Sequence, residues 1–427
     1  MSKGKGRGRG EVLDPFGSFD PGADLVLGKK DSVLIQNPSD FGIFAFGDDS
    51  TITVEKGAEI TGDAPNQVGV FSAGANNVTT IDGDITLTGG GGVGAASRSP
   101  LTLNGDIEVS GDPAPGRSNT GINASRPDAD ITIGKKGSIT VDGPAGGGIF
   151  AFQGGTITNE GDIEVSTPSG AGVLIGNNDF LNHGDVEVTG NGASGVQVFG
   201  GGTVTNTGDI EASGVPGMSP ADGVFLNFAG GALVNSGDIE SEHGAGVGIR
   251  PGLALDLFGF PPPPPGTTNT VINEKKGTIE GEIGIEGSDF IEIVENAGKI
   301  RGDVLLGGGD DIYTATGKGR VDGVIDGGAG NDILTGADRK DTLDGGAGDD
   351  ILTGGKGKDT FIFSGGHDVI TDFDDRDELA LSGFAADDAA VSETAEGLLL
   401  AFDDGNSVLL AGYHDDPADL IADIVVI

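Results

Sequence analysis

One phrase, an apolar stretch leading to Asn and then Gly-Asp-Ile, returns throughout the middle of this chain. It reads LTLNGDIEV from Leu101, TITNEGDIEV from Thr156, LNHGDVEV from Leu181, TVTNTGDIEA from Thr203 and LVNSGDIE from Leu233. Looser copies run from Val271 and Ile293. Aligning them puts Ile60, Ile85, Ile107, Ile139, Ile163, Val186, Ile210, Ile239, Ile279, Ile300 and Val321 at one position, mostly 21 to 25 residues apart. Internal repetition at this period is the mark of a solenoid, in which no single repeat buries its own apolar face and stacking builds the core.

A second phrase alternates with the first: glycine followed by a short apolar alternation, as in GIFAF at Gly42 and again at Gly148, GVLI at Gly172 and GVQVF at Gly195. Period-two runs of four to six residues between Gly and Asn turns spell strands and exclude helix. Two or three strands per period describe one coil of a parallel β-helix, and right-handed winding follows from the general chirality of parallel crossovers. The recurring Asn159, Asn182, Asn206, Asn235 and Asn296 sit four residues before the aligned apolar position, where stacked amides can bond from coil to coil at a turn. Five consecutive prolines, Pro261–Pro265, cannot donate ladder hydrogen bonds and must loop out.

Near the C-terminus the repetition tightens to nine residues without a gap: GGAGNDILT from Gly327, GADRKDTLD from Gly336, GGAGDDILT from Gly345 and GGKGKDTFI from Gly354. The glycines permit a tight curl that turns backbone carbonyls inward, and Asp332, Asp341, Asp350 and Asp359 add carboxylates. Ca²⁺ takes six to eight hard oxygens, more than one turn supplies, so a turn stacked one coil away must complete the shell. Two nonapeptides make one coil. Asp332 is therefore expected to meet Asp350, and Asp341 to meet Asp359, with Leu334, Leu343, Leu352 and Phe361 forming a thin core.

From about Gly307 onward the chain resembles the RTX, or haemolysin-type calcium-binding, family. The resemblance implies a parallel β-roll that orders on Ca²⁺. It further implies that the side chains of Asp332, Asp341, Asp350 and Asp359 bind the ion together with backbone carbonyls at Gly327, Ala329, Gly336, Asp338, Gly345, Ala347, Gly354 and Lys356. The second copy departs from the pattern at Ala337, Asp338, Arg339 and Lys340, which weakens the site built on Asp341. GGGDDIYTA at Gly307 looks like a degenerate outlying copy, with no ion assigned to it. HDVITDF from His367 resembles the segment that follows the roll in many such proteins, and LLLAFDDGNSVLLAGY reads as a β-hairpin. The ending DIVVI, Asp423 to Ile427, resembles the uncleaved signal of type I secretion substrates.

The expected fold is all-β: a parallel β-helix continuing into a parallel β-roll with a small C-terminal β cap. Residues 1–40 are read as a basic tail and N-terminal cap, 41–323 as about eleven solenoid coils, 324–372 as the roll, and 373–427 as cap and secretion signal. A net charge of -43 argues against nucleic acid and suits divalent cations. No run of about 18 apolar residues is present to enter a membrane. The chain has no cysteine, so thiolate metal sites are impossible.

Catalytic signatures are missing: no HExxH, no GxSxG elbow, no P-loop, and no DPHE of the secreted alginate epimerases. The Gly-Asp-Ile phrase sets out two acidic rows, Asp106, Asp162, Asp185, Asp209 and Asp238 beside Glu108, Glu164, Glu187, Glu211 and Glu240. A uniform ladder lacks the unlike pair that glycoside hydrolysis needs. The residues thus point to a secreted calcium-binding structural or adhesion protein at the bacterial surface. Its expected partners are Ca²⁺, the type I secretion machinery and surface polysaccharide or matrix. The competing reading is an extracellular polysaccharide-acting β-helix enzyme, lyase- or epimerase-like, marked by a groove where Asp, Arg and Lys converge near Arg250 or Arg301.

Overall fold

The computed structural model describes residues 11–124, 129–216, 219, 221–226, 230–249, 266–403, 405–414 and 424–427. The basic segment 1–10, Arg250, the run Pro261–Pro265 and Asp423 lie outside the described residues. Two compact units emerge, Met1–Phe225 with Glu240–Gly244, and Leu226–Ile239 with Ala245–Ile427. Among the described residues the regular structure is strand throughout, apart from one 3-10 turn at Ala386–Asp388.

In the first unit each coil contributes three short strands. Thr51–Val54, Glu59–Gly62 and Val68–Ser72 are followed by Val78–Ile81, Asp84–Leu87 and Val93–Ser97. Each strand pairs in parallel with its counterpart one coil on, Ile52 with Thr79, Ile60 with Ile85 and Val70 with Ala95. The aligned apolar residues form one unbroken column. Ile60, Ile85, Ile107, Ile139, Ile163, Val186 and Ile210 are successive Cα partners, and all are buried.

The two sequence phrases depend on each other. A Cβ placed on Gly148 would stand 2.6 Å from Cγ2 of Ile163, so the glycine opening the second phrase makes room for the isoleucine of the first. Parallel pairing also begins well before residue 41. Val12 pairs with Ser32 and Phe16 with Ile43, and Leu25, Leu27, Val33 and Ile35 are buried. The stretch expected to be tail and cap is therefore wound from Val12 on. It keeps the apolar alternation that builds the core but lacks the Gly-Asp-Ile phrase.

The second unit passes from three strands per coil to two. The long strands Thr278–Ser288 and Lys299–Gly307 each run through a corner, with register shifts between Glu280 and Ile285. Beyond them two parallel columns face each other. One holds Ile312–Ala315, Ile333–Thr335, Ile351–Thr353 and His367–Ile370. The other holds Ile325–Ala329, Thr342–Ala347, Thr360–Phe363 and Glu378–Leu381. Leu334, Leu343, Leu352 and Phe361 fill the space between, each at most 1% exposed. The hairpin is present: Gly397–Ala401 runs antiparallel to Ser407–Ala411, which in turn pairs in parallel with His367–Ile370. Val425–Val426 adds a last short strand beside Ala380–Leu381.

The asparagines stack, but on strands rather than at a turn. They end strands and are fully buried. The Asn159 amide donates to Asn182 Oδ1 at 2.8 Å, and the Asn182 amide to Asn206 Oδ1 at 2.9 Å. In the second unit Asn235 donates to Asn273, Asn273 to Asn296, and Asn296 to the hydroxyl of Tyr313, at 3.0 to 3.1 Å. Each amide both donates and accepts, so the ladder closes its own hydrogen-bond balance inside the core. Asn182→Ala is expected to destabilise the first unit by about 1–3 kcal/mol, because it strands its neighbours' buried polar atoms. Chemical denaturation of the variant checks this, and an unchanged midpoint would contradict it.

Candidate metal centre

The four nonapeptide aspartates fall in two columns, one on each side of the roll. In the first, the Asp332 N–H donates to Asp350 Oδ1 at 2.8 Å, and the Asp350 N–H to Asp368 Oδ1 at 3.1 Å. In the second, the Asp341 N–H donates to Asp359 Oδ1 at 2.8 Å, and the Asp359 N–H to Asp377 Oδ1 at 2.9 Å. The 18-residue pairings of Asp332 with Asp350 and of Asp341 with Asp359 thus hold as geometry.

Asp332, Asp350, Asp359, Asp368 and Asp377 each use one oxygen to cap the backbone of the coil before it. In the first column the other oxygen has no partner: Oδ2 of Asp332, Asp350 and Asp368 is buried and without a hydrogen bond. Such atoms are rare, and each marks a group whose partner is a water or an ion. Burial is the main reason that Asp332 and Asp350 are pushed up to about 6 and Asp368 to about 8. Neighbouring carboxylates add to it: Asp310, Asp326 and Asp350 act on Asp332, and Asp344 and Asp349 act on Asp350.

The glycines shape this cradle. A Cβ on Gly327 would run into Asp332 Oδ2, and one on Gly345 into Asp350 Oδ2. Gly330 and Gly348, both at φ +141°, stack so closely that a Cβ on Gly348 would strike the carbonyl oxygen of Gly330. Gly327 and Ala329 lie in the strand Ile325–Ala329, and Ala329 is the Cα partner of Ala347. Hard oxygens, free buried carboxylate atoms and a backbone that only glycine allows together fit Ca²⁺. Among the described residues no three carboxylate or imidazole groups gather at one point, so backbone carbonyls would have to supply much of the shell.

The second column differs in the copy that departs from the pattern. Asp341 Oδ2 accepts the Ala337 N–H at 2.8 Å, an internal bond that the matching Oδ2 of Asp332 and Asp350 lacks. The Asp338 carboxylate pairs with Lys356 Nζ at 2.9 Å on the surface, and the Lys356 N–H bonds the carbonyl of Ala337. Gly336 and Gly354 stack, a Cβ on Gly336 falling 2.5 Å from the Gly354 carbonyl oxygen. Asp359 is pushed up to about 6, by burial first and then by Asp377, Asp341 and Asp372.

Residues beyond the nonapeptides complete both columns. Asp368 and Asp377 lie one 18-residue step past Asp350 and Asp359, a step the sequence allowed to be counted. Asp372 takes the N–H groups of Gly354 and Gly355, both at 2.8 Å, and caps the last turn. Asp326 and Asp344, Cα partners on the inner strand, are both shifted upward by burial.

In the first unit the acidic rows are in register, Asp162 with Asp185 and Asp209, and Glu164 with Glu187 and Glu211. Ser138 and Thr140 interrupt them next to Asp106 and Glu108. Near Arg301, the guanidinium pairs with Glu280.

The family comparisons agree with this division. Residues 322–338 and 335–370 match the RTX calcium-binding nonapeptide repeat in four copies, and residues 42–237 match the third pectate lyase-like domain of BigA. No curated protein matches the chain. The chain therefore carries RTX calcium-binding nonapeptide repeats C-terminal to a parallel β-helix similar to a pectate lyase-like domain.

Proposed function

We propose that this is a secreted Ca²⁺-dependent structural or adhesion protein whose roll is completed by calcium outside the cell. The reading is carried by the column of buried carboxylate oxygens at Asp332, Asp350 and Asp368 that lack any partner in the protein. Asp332, Asp350 and Asp359 are the side-chain ligands in this reading. Gly327, Ala329, Gly345, Ala347 and Gly354 contribute carbonyls, and the Gly336–Asp341 turn forms the weaker site. Where Ca²⁺ is scarce the carboxylates repel one another, and where it is plentiful the ion binds the folded form and draws the equilibrium toward it. That logic suits export of a loosely folded chain through a type I channel, with 423–427 as the signal. No helix of the described residues is long and apolar enough to cross a membrane.

Circular dichroism of the full chain in chelator and in millimolar Ca²⁺ tests the proposal. A gain of β-signal and a melting transition that moves upward with Ca²⁺ are expected. Superimposable spectra and melts would remove the calcium reading.

For adhesion, the supporting feature is a cluster of Phe19, Phe41, Phe44, Phe46 and Phe71 on the first coils, with Phe19 73% exposed. Exposed rings of this kind suit contact with sugar faces or other apolar surfaces. The enzyme reading is favoured by the likeness of 42–237 to a pectate lyase-like domain. Against it stands the state of the basic groups: Arg301 is paired with Glu280, and Arg320 with Asp322 at 2.9 Å.

A further inference from the structure

The acidic column does not begin with the nonapeptides. The Asp311 N–H donates to Asp332 Oδ1 at 2.7 Å, and the Glu292 N–H donates to Asp311 Oδ1 at 2.7 Å. Glu292 and Asp311 therefore hold the same place in two earlier coils, both N-terminal to the residues that match the RTX repeat. The strands agree, with Ile293 partnering Ile312 and Ile312 partnering Ile333. Gly307 and Gly309, at φ +100° and +126°, preserve the curl of the turn at Asp311. The stretch before Glu292 reads Gly287-Ser288-Asp289-Phe290-Ile291 and keeps only the first glycine of the nonapeptide, which is why the pattern does not reveal it.

Both side chains are 0% exposed. The Ser288 hydroxyl at 2.5 Å and the Asn269 amide at 3.2 Å both donate to Glu292 Oε1, and the Glu292 and Asp311 carboxyls lie within hydrogen-bond reach of each other when one is protonated. That leaves Glu292 Oε2, Asp311 Oδ2 and the carbonyl oxygen of Asn269, Oδ1, buried and without a partner. Asn269 is 1% exposed and is the Cα partner of Glu292 in the preceding coil. Three unpaired oxygen acceptors on three successive coils, two of them on carboxylates, lack a positive partner. Burial pushes Glu292 up to about 7 and Asp311 to about 8, as expected of buried charge that the protein itself leaves uncompensated.

We propose that Glu292, Asp311 and Asn269 form a further site for a divalent cation of the Ca²⁺ class, ahead of the nonapeptides. The inference rests on the calcium reading of the roll, since the same column continues into it. Hard oxygen donors without nitrogen or sulfur select such an ion over zinc or copper. The ion would tie the Tyr313 coil, where the amide ladder ends, to the first true nonapeptide turn.

The test uses the full chain and Ca²⁺ itself. Bound Ca²⁺ per chain is counted by equilibrium dialysis at pH 8 for the wild type, Glu292→Gln, Asp311→Asn and, as a control in the roll, Asp350→Asn. Glu292→Gln and Asp311→Asn are each expected to hold one ion fewer than the wild type. In chelator, Glu292→Gln is expected to melt above the wild type, because a buried charge has gone, and in Ca²⁺ that order reverses. Asn269→Asp, which adds a third carboxylate, is expected to tighten the site by about tenfold.

If Glu292→Gln and Asp311→Asn bind as many ions as the wild type while Asp350→Asn binds fewer, the pair holds a shared proton and the proposal is overturned. If the wild type binds no Ca²⁺, the reading of the roll itself fails. Should Glu292→Gln not fold, Asn269→Asp decides alone: unchanged affinity with a lower melting temperature speaks against the site.

Discussion

Asp350→Asn is expected to lower Ca²⁺ affinity in the first column by on the order of 100-fold, the equivalent of losing one charged ligand worth about 2.7 kcal/mol. Asp350 is the middle rung. It accepts the Asp332 N–H, and its own N–H reaches Asp368. Asparagine can still accept through Oδ1, so the backbone ladder survives. What disappears is the charge and the free Oδ2. Asp341→Asn should cost less, because Asp341 Oδ2 already accepts the Ala337 N–H, whereas Oδ2 of Asp350 is free. Calorimetric titration of the two variants measures the difference. Equal losses would mean that the departure at Ala337 to Lys340 has no consequence for binding.

The metal-free roll should become less stable as pH rises, opposite to the usual behaviour of paired carboxylates. Asp332, Asp350 and Asp359 stand near 6 and Asp368 near 8 in the folded chain, against about 3.9 in an unfolded one. The folded state therefore holds more protons than the unfolded state between those values, and stability falls with pH across that window. The penalty is absent below about pH 4, grows through pH 6 and is complete a little above pH 8. For each of the three groups near 6 it amounts to roughly 2–3 kcal/mol. Thermal melts of metal-stripped protein at pH 5, 6, 7 and 8 should show the second unit melting lower at each step. With saturating Ca²⁺ the trend reverses, since the ion binds the deprotonated groups. A metal-free melting temperature that rises from pH 5 to pH 8 would contradict the assignment.

Much of this was legible because stacking turns sequence period into spatial register. One aligned isoleucine per repeat was enough to foresee the column from Ile60 to Ile210, and an 18-residue step was enough to pair Asp332 with Asp350. What escaped were positions where geometry persists without the phrase. The coils from Val12 keep buried alternation but have no Gly-Asp-Ile. Glu292 keeps its place in the acidic column although only Gly287 remains of the nonapeptide glycines. Asn273 is a rung of the amide ladder between Asn235 and Asn296, hidden because it stands six residues rather than four before the aligned Ile279. The turn expected at the asparagines gives way to strand for a related reason. A turn and a strand end both tolerate Asn in sequence, and only burial distinguishes them.

The Tyr313 hydroxyl, where the amide ladder of the second unit ends, has a consequence for how that unit is built. Up to Asn296 the amides of the ladder satisfy one another and need nothing from outside. The acidic column beside it, from Glu292 through Asp311, Asp332 and Asp350 to Asp368, leaves one buried carboxylate oxygen free at every rung. In a stack where each layer touches only its neighbours, the self-sufficient coils are a ready template and the later ones can only be laid onto it. On the calcium reading, assembly has a direction, from Tyr313 toward the C-terminus, and calcium concentration decides how many layers are added.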